Sequence, residues 1–249
     1  MVQEKTGFFE HEGRQMVYDR LEGPGERAFV LVHGIGMGRK IYTELAAELA
    51  RHGTVYAVDL PGFGESPRPE SPLPMAQTGD FLAEFIRLKK LVDPVLVGHS
   101  MGGQVVAEAL ARHPEVSSCG VLIAPSVNRA ERTVFRQGLR MVQDLAGESP
   151  KVLLLGSWQY AKAGLGWFLS KMRHMLAHRL EETCPQIRAD VLVLRGDRDR
   201  VCPRPWIEEI TGLIPAGRME EIPGCGHEAV IKSPQPAARL ILEHSGISG

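Results

Sequence analysis

The sequence predicts an α/β fold, a mostly parallel central sheet flanked by helices, and three features carry that expectation. From residue 28 onward, short apolar runs alternate with segments of helical period, the pattern of repeated β-α-β units. One such run, Val95-Leu96-Val97, passes through Gly98-His99-Ser100-Met101-Gly102 straight into a helix-period segment, so a strand turns there at once into a helix. The alternation lapses once, for about sixty residues after Pro125, which is too long for an ordinary connection. The prediction is therefore a core made of residues 1–125 and 186–249, with a helical insertion at 126–185 after the sixth strand.

Each element follows from local chemistry. Gly7 to Leu21 carries Phe8, Phe9, Met16, Val17 and Tyr18 around His11-Glu12-Gly13, which reads as an antiparallel hairpin. Ala28 to His33 is a buried strand. Ile41, Leu45 and Leu49 recur every fourth residue in a helix ending near Gly53. Thr54 to Asp59 is a strand, and the Pro- and Gly-rich run Pro61 to Pro74 is loop. A helix around Asp80 to Leu91 puts Phe81, Phe85 and Leu88 on one face. After the strand at Val95, the helix from Met101 is stopped by Pro114. Gly120 to Ala124 is the sixth strand. In the insertion, Phe135, Leu139, Val142 and Ala146 form one amphipathic stripe, and Leu165, Leu169, Met172, Leu176 and Leu180 another. Strands at Val191 to Leu194 and Arg218 to Ile222 then alternate with helices from Pro205 and Pro236.

Composition excludes several function classes. The chain has 249 residues, with 29 basic against 30 acidic side chains, so no general attraction for phosphate backbones or anionic lipid is expected. Nucleic acid and membrane are not expected partners, because no apolar run approaches the roughly twenty residues of a membrane span. The first ten residues lack the order of a secretory signal, so a cytoplasmic location is expected. The four cysteines, at 119, 184, 202 and 225, match no zinc or redox spacing and read as reduced, packed thiols.

The residues that carry chemistry begin with Ser100. Glycines at 98 and 102 leave room for a strained apex, and the hydroxyl then stands at a helix amino terminus that favours developing negative charge. A serine hydroxyl is a weak nucleophile and requires a base, itself held by an acid. Of nine histidines, His227 stands out, because it follows Pro223-Gly-Cys-Gly226 in a loop after the last strand. His99 adjoins the serine and reads as packing. For the acid, Asp197 and Asp199 follow a strand, and Asp59 ends an earlier one. A serine, an acid and a histidine in that chain order go with a serine at a strand-to-helix elbow, which favours the later pair.

These features together resemble the α/β-hydrolase superfamily over almost the whole chain. His33-Gly34-Ile35-Gly36 looks like its oxyanion loop, Asp59-Leu-Pro-Gly-Phe-Gly-Glu-Ser66 like its loop after the fourth strand, and Gly98 to Gly102 like its nucleophile elbow. Gly196-Asp-Arg-Asp199 and Gly226-His227 look like its acid and histidine motifs. The resemblance implies the α/β-hydrolase fold, Asp199 over Asp197 as the acid, and a helical cap at 126–185. It further implies backbone N–H groups of Ile35 and Met101 as an oxyanion hole, and no metal or organic cofactor.

The expected activity is hydrolysis of small-molecule carboxylic esters with small to medium acyl groups, through an acyl-serine. Serine C–C bond hydrolysis and thioester hydrolysis use the same parts, and a binding sensor on this scaffold is the alternative without turnover. Trp158, Trp167 and Phe168 are candidate substrate-binding residues, although these and Phe135 also suit packing of the cap onto the core. Basic side chains outnumber acidic ones in the insertion, where Arg129, Arg132, Arg136 and Arg140 recur at three- and four-residue spacing. They read as a solvated helix face or as an attractor for a carboxylate-bearing substrate. Either a monomer or a homodimer built through Leu165, Leu169 and Met172 fits.

Overall fold

The computed structural model of the chain describes residues 4–145 and 165–247. The chain opens with a hairpin of β1 (Glu4–His11) and β2 (Arg14–Leu21). Its parallel core follows as β3 (Phe29–Val32), β4 (Val55–Asp59), β5 (Val95–His99), β6 (Cys119–Ile123), β7 (Asp190–Gly196) and β8 (Gly217–Ile222). The eight strands lie in the order β1-β2-β4-β3-β5-β6-β7-β8, and β2 meets β4 antiparallel, while every pair from β4 to β8 is parallel.

The central strands are buried from end to end because helices cover both faces, which is why they read as unbroken apolar runs. Side chains alternate between the faces. Val30, Val32, Leu96, Leu122 and Val193 point to one core, beneath α2 (Met75–Leu88), α3 (Met101–Arg112) and α7 (Arg204–Leu213). Phe29, Leu31, Val95, Val97, Val121 and Ile123 point to the other, beneath α1 (Thr43–Leu49) and α9 (Pro234–His244). Between β6 and β7 lie α4 (Val134–Leu145), α5 (Leu165–Ala177) and the short α6 (Leu180–Thr183); α8 (Ala229–Lys232) precedes α9.

Two local expectations are corrected. The helix placed at Asp80 starts at Met75, directly after Pro74, and its final residue, Leu88, is exposed while Phe81 and Phe85 are buried. The stripe on α4 does not pack inward at its described positions either: Phe135 is 80% exposed and Leu139 is exposed too. It is the polar side of α4 that is anchored, by Gln137 donating to the Glu131 carbonyl and Arg140 pairing with the Glu131 carboxylate.

The loop after β4 is held by charge. Asp59 (1% exposed) accepts the Arg39 backbone N–H at 2.5 Å, the Arg39 guanidinium, and the Glu65 N–H at 2.9 Å. Arg39 also pairs with Asp19 at 2.8 Å and Glu65 at 2.6 Å. Burial opposes the charge of Asp19, but bonds from Lys40, Thr6 and Arg39 hold its carboxyl below the usual range. The motif read at Asp59–Ser66 is thus a scaffold: Ser66 donates to the Asp59 carbonyl and accepts the Val17 N–H, tying the loop to the hairpin. Arg39→Met would leave the buried Asp59 carboxylate without its cation, while Asp19 keeps Lys40 at 2.6 Å, and it is expected to cost about 3–5 kcal/mol. A urea midpoint lowered at unchanged slope would show this, and a loss under about 1 kcal/mol would contradict it.

Candidate active site

Ser100 sits where β5 turns into α3, with φ 54 and ψ −116, a conformation that a non-glycine residue adopts only when its surroundings enforce it. They do so by contact. A Cβ on Gly98 would lie 2.3 Å from the Gly102 carbonyl oxygen, and one on Gly102 would lie 2.1 Å from that of Val32, so the helix can begin this close to the strand ends only with glycine at both positions. The Ser100 N–H donates to the Ile123 carbonyl at 2.9 Å, fastening the turn to β6. The side chain is nearly buried, and its hydroxyl lies 3.3 Å from that of Ser126, just beyond β6.

Asp199 and His227 come together from the ends of β7 and β8. Their loops are joined by the Arg198 N–H donating to the Cys225 carbonyl at 2.9 Å and the Asp197 N–H to that of Ile222 at 3.1 Å. His227 Nδ1 lies 3.0 Å from Asp199 Oδ2, and both residues are buried. Asp199 Oδ1 accepts the N–H groups of Val201 and Cys202, each at 2.8 Å. Burial opposes ionisation of Asp199, but the His227 charge and these hydrogen bonds hold its carboxyl below the ordinary value near 3.8. A carboxylate so placed orients the imidazole with its proton on Nδ1. Asp197 is exposed and Asp59 is taken up by Arg39, so of the three aspartates weighed only Asp199 is paired with His227.

Two further histidines shape the site. His99 donates from Nε2 to the His227 backbone carbonyl at 2.9 Å; burial first, and then the nearby His227 charge, push its pKa down to about 3, so it stays neutral. His99 is therefore more than packing: it holds the segment carrying His227 against the elbow. His33 Nε2 accepts the Leu60 N–H at 3.0 Å, which leaves Nδ1 to donate to the Gly34 carbonyl at 2.7 Å. That bond fixes the loop beside the serine, where a Cβ on Gly34 would lie 3.1 Å from the Ser100 Cβ. Ile35 follows in this loop, and Met101 is the first residue of α3, whose N–H has no acceptor within the helix.

The candidate substrate residues divide. Trp167 packs on the loop after β4, its ring 5.0 Å from Phe63, which in turn lies 5.3 Å from His33. A Cβ on Gly62, at φ +84, would strike the Trp167 ring at 2.1 Å. Phe168 is partly buried against the core, and Trp158 lies outside the described residues. The four arginines do not share one helix face, because α4 begins only at Val134. Arg129 pairs with Glu209, Arg132 with Glu181 and Arg140 with Glu131, while Arg136 donates to the Ala130 carbonyl. Three of these charges are engaged by carboxylates, while the exposed Arg136 meets only a neutral carbonyl among the described residues.

All four cysteines lie among the described residues, buried and outside any disulfide. Sequence spacing gave no sign that Cys202 joins Asp199 and His227 in a group whose donor atoms lie within 4.8 Å of one another. Both oxygens of Asp199 are already occupied there, Oδ1 by two backbone N–H groups and Oδ2 by His227. The donor set therefore suits an oriented histidine better than a bound ion.

With this geometry in place, comparison with known proteins decides the family. The model of the "Alpha/beta hydrolase family" matches residues 29–240. The chain belongs to the alpha/beta hydrolase family. It is 24% identical over 245 residues to the AB hydrolase superfamily protein YisY of Bacillus subtilis, covering 88% of this chain and 91% of that one. It is 28% identical over 228 residues to the pimeloyl-[acyl-carrier protein] methyl ester esterase of Xanthomonas axonopodis pv. citri, covering 80% and 87%. Among solved structures, a bacterial membrane phospholipase A superposes with a TM-score of 0.82 at 23% identity, covering 98% of this chain and 86% of that one. As an alpha/beta hydrolase with esterase-named relatives, the chain is supported as a hydrolase of ester bonds. Among the described residues, no helix is long and apolar enough to cross a membrane.

Proposed function

We propose that this alpha/beta hydrolase is a serine carboxylic-ester hydrolase, acting on small-molecule esters of small to medium acyl groups through an acyl-serine intermediate. The observation that carries the reading is the buried His227–Asp199 hydrogen bond beside a serine held at φ 54 on the strand-to-helix elbow. Ser100 attacks the ester carbonyl carbon as His227 Nε2 takes its proton, and Asp199 stabilises the imidazolium. The N–H groups of Ile35 and Met101 receive the negative charge on the carbonyl oxygen. His227 then protonates the leaving alcohol, activates water, and the acyl-serine is hydrolysed. Residues 126–185 act as the cap, with Trp167 and Phe168 lining the acyl side.

Stopped-flow hydrolysis of p-nitrophenyl esters from two to twelve acyl carbons tests this reading. An optimum at short to medium length, with a burst of one p-nitrophenol per chain, is the expected result. Turnover of acyl thioesters with no turnover of any ester would replace the reading with a thioesterase.

A further inference from the structure

One helix face looks onto the site from the insertion. On α5, Trp167, Lys171 and Met175 are spaced four apart and so share a face. The Met175 sulfur accepts a weak bond from Ser126 Oγ at 3.9 Å, and that hydroxyl is 3.3 Å from Ser100 Oγ. At the other end, Trp167 meets Gly62 and Phe63, and Phe63 meets His33. Lys171 lies between these two contacts.

Lys171 is 2% exposed, and its ammonium donates to the Leu73 carbonyl at 2.8 Å and to Thr78 Oγ1 at 3.1 Å. Both acceptors are neutral. Among the described residues no carboxylate pairs with it, whereas the other strongly buried cations, Arg39 and Arg195, have acidic partners. A buried ammonium without a counter-ion is costly, so a lysine placed here holds its proton firmly only when an anion pairs with it. One turn earlier, the indole N–H of Trp167 is also buried without an acceptor among the described residues. Two donors on successive turns of this face are thus buried, and among the described residues neither has an anionic partner.

We propose that Lys171, with the Trp167 N–H, binds a carboxylate at the far end of the acyl chain, so that the preferred substrates are monoesters of dicarboxylic acids. This rests on the ester-hydrolase reading and narrows its substrate class. The carboxylate supplies the charge that the protein leaves out, and the acyl chain spans from Ser100 along the face of α5. Burial alone pulls the Lys171 pKa down to about 7. A bound carboxylate therefore draws a proton onto the amine. The Lys171 charge is felt by His33 and by His174 on its own helix; burial holds both below the ordinary histidine value, and Asp59 is committed to Arg39.

The test compares mono-p-nitrophenyl succinate, glutarate and adipate with p-nitrophenyl hexanoate, using wild type, Lys171→Met and Lys171→Gln. A preference of about tenfold in kcat/KM for one of the anionic esters is expected in wild type. Both variants are expected to lose that preference while hexanoate turnover stays within about twofold. Calorimetric titration of glutarate into the Ser100→Ala protein at pH 8, in two buffers of different ionisation enthalpy, is expected to show uptake of about one proton, absent once Lys171→Met is added. No anionic preference in a wild type that cleaves hexanoate would overturn this inference alone, as would equal losses for both ester types in the two variants. If wild type cleaves no ester, the hydrolase reading fails, and the titration decides the carboxylate site by itself: no binding, or binding that Lys171→Met leaves unchanged, overturns it.

Discussion

Ser100→Ala is expected to reduce kcat for a p-nitrophenyl ester by about 10⁴- to 10⁶-fold with little change in KM. On the proposed reading, the ester is bound by the cap and the loop after β4, which the substitution leaves in place, while the covalent step loses its nucleophile. The neighbouring Ser126 hydroxyl, 3.3 Å away, does not substitute for it: Ser126 stands beyond the end of β6, not at the amino terminus of α3. Alanine at position 100 also relieves no strain, because its Cβ meets the same φ 54. Stability should therefore change little, and steady-state kinetics together with a denaturation curve separate the two effects. A residual activity above about a hundredth of wild type would contradict the assignment.

Asp199→Asn is expected to lower kcat by about 10⁴-fold at neutral pH. The amide can keep accepting the Val201 and Cys202 N–H groups through its oxygen, which presents its nitrogen to His227 Nδ1. The imidazole must then carry its proton on Nε2, the atom that has to accept one from Ser100. The substitution also has a stability signature. The folded Asp199 carboxyl titrates below its ordinary value near 3.8, so its contribution is fully present above that value and is lost as pH falls through the lower folded one. The stability gap between wild type and Asp199→Asn should accordingly close on acidification. A gap that widened below pH 4 would contradict the ionised, hydrogen-bonded state of Asp199.

How much of this was legible in the sequence depends on whether the cause is local. The elbow is local, since glycines at 98 and 102 between an apolar run and a helix leave few other conformations, and the structure has the strand, turn and helix where they were expected. The alternation of buried strands with helices likewise specified the sheet and its flanking layers. The choice between Asp197 and Asp199 rested on resemblance, because both follow the same strand; in three dimensions one is exposed and the other paired with His227. The insertion was the least legible part. An amphipathic stripe says that one side of a helix differs from the other, not which side is anchored, and α4 is anchored by its polar side. The partners of Arg129 and Arg132 lie far along the chain, at Glu209 and Glu181, so no local pattern could show that those charges were engaged. Lys171 did leave a signal. It falls four residues from both Trp167 and Met175, on the inward side of α5, where a surface lysine does not belong.

The central claim is that Ser100 is the nucleophile, and covalent labelling tests it most directly. Wild type and Ser100→Ala are treated with an alkyl phosphonate ester, followed by intact mass and peptide mapping. The account predicts one adduct per wild-type chain, mapped to Ser100, and none on the variant. An adduct on Ser126, or one that persists in Ser100→Ala, would contradict it.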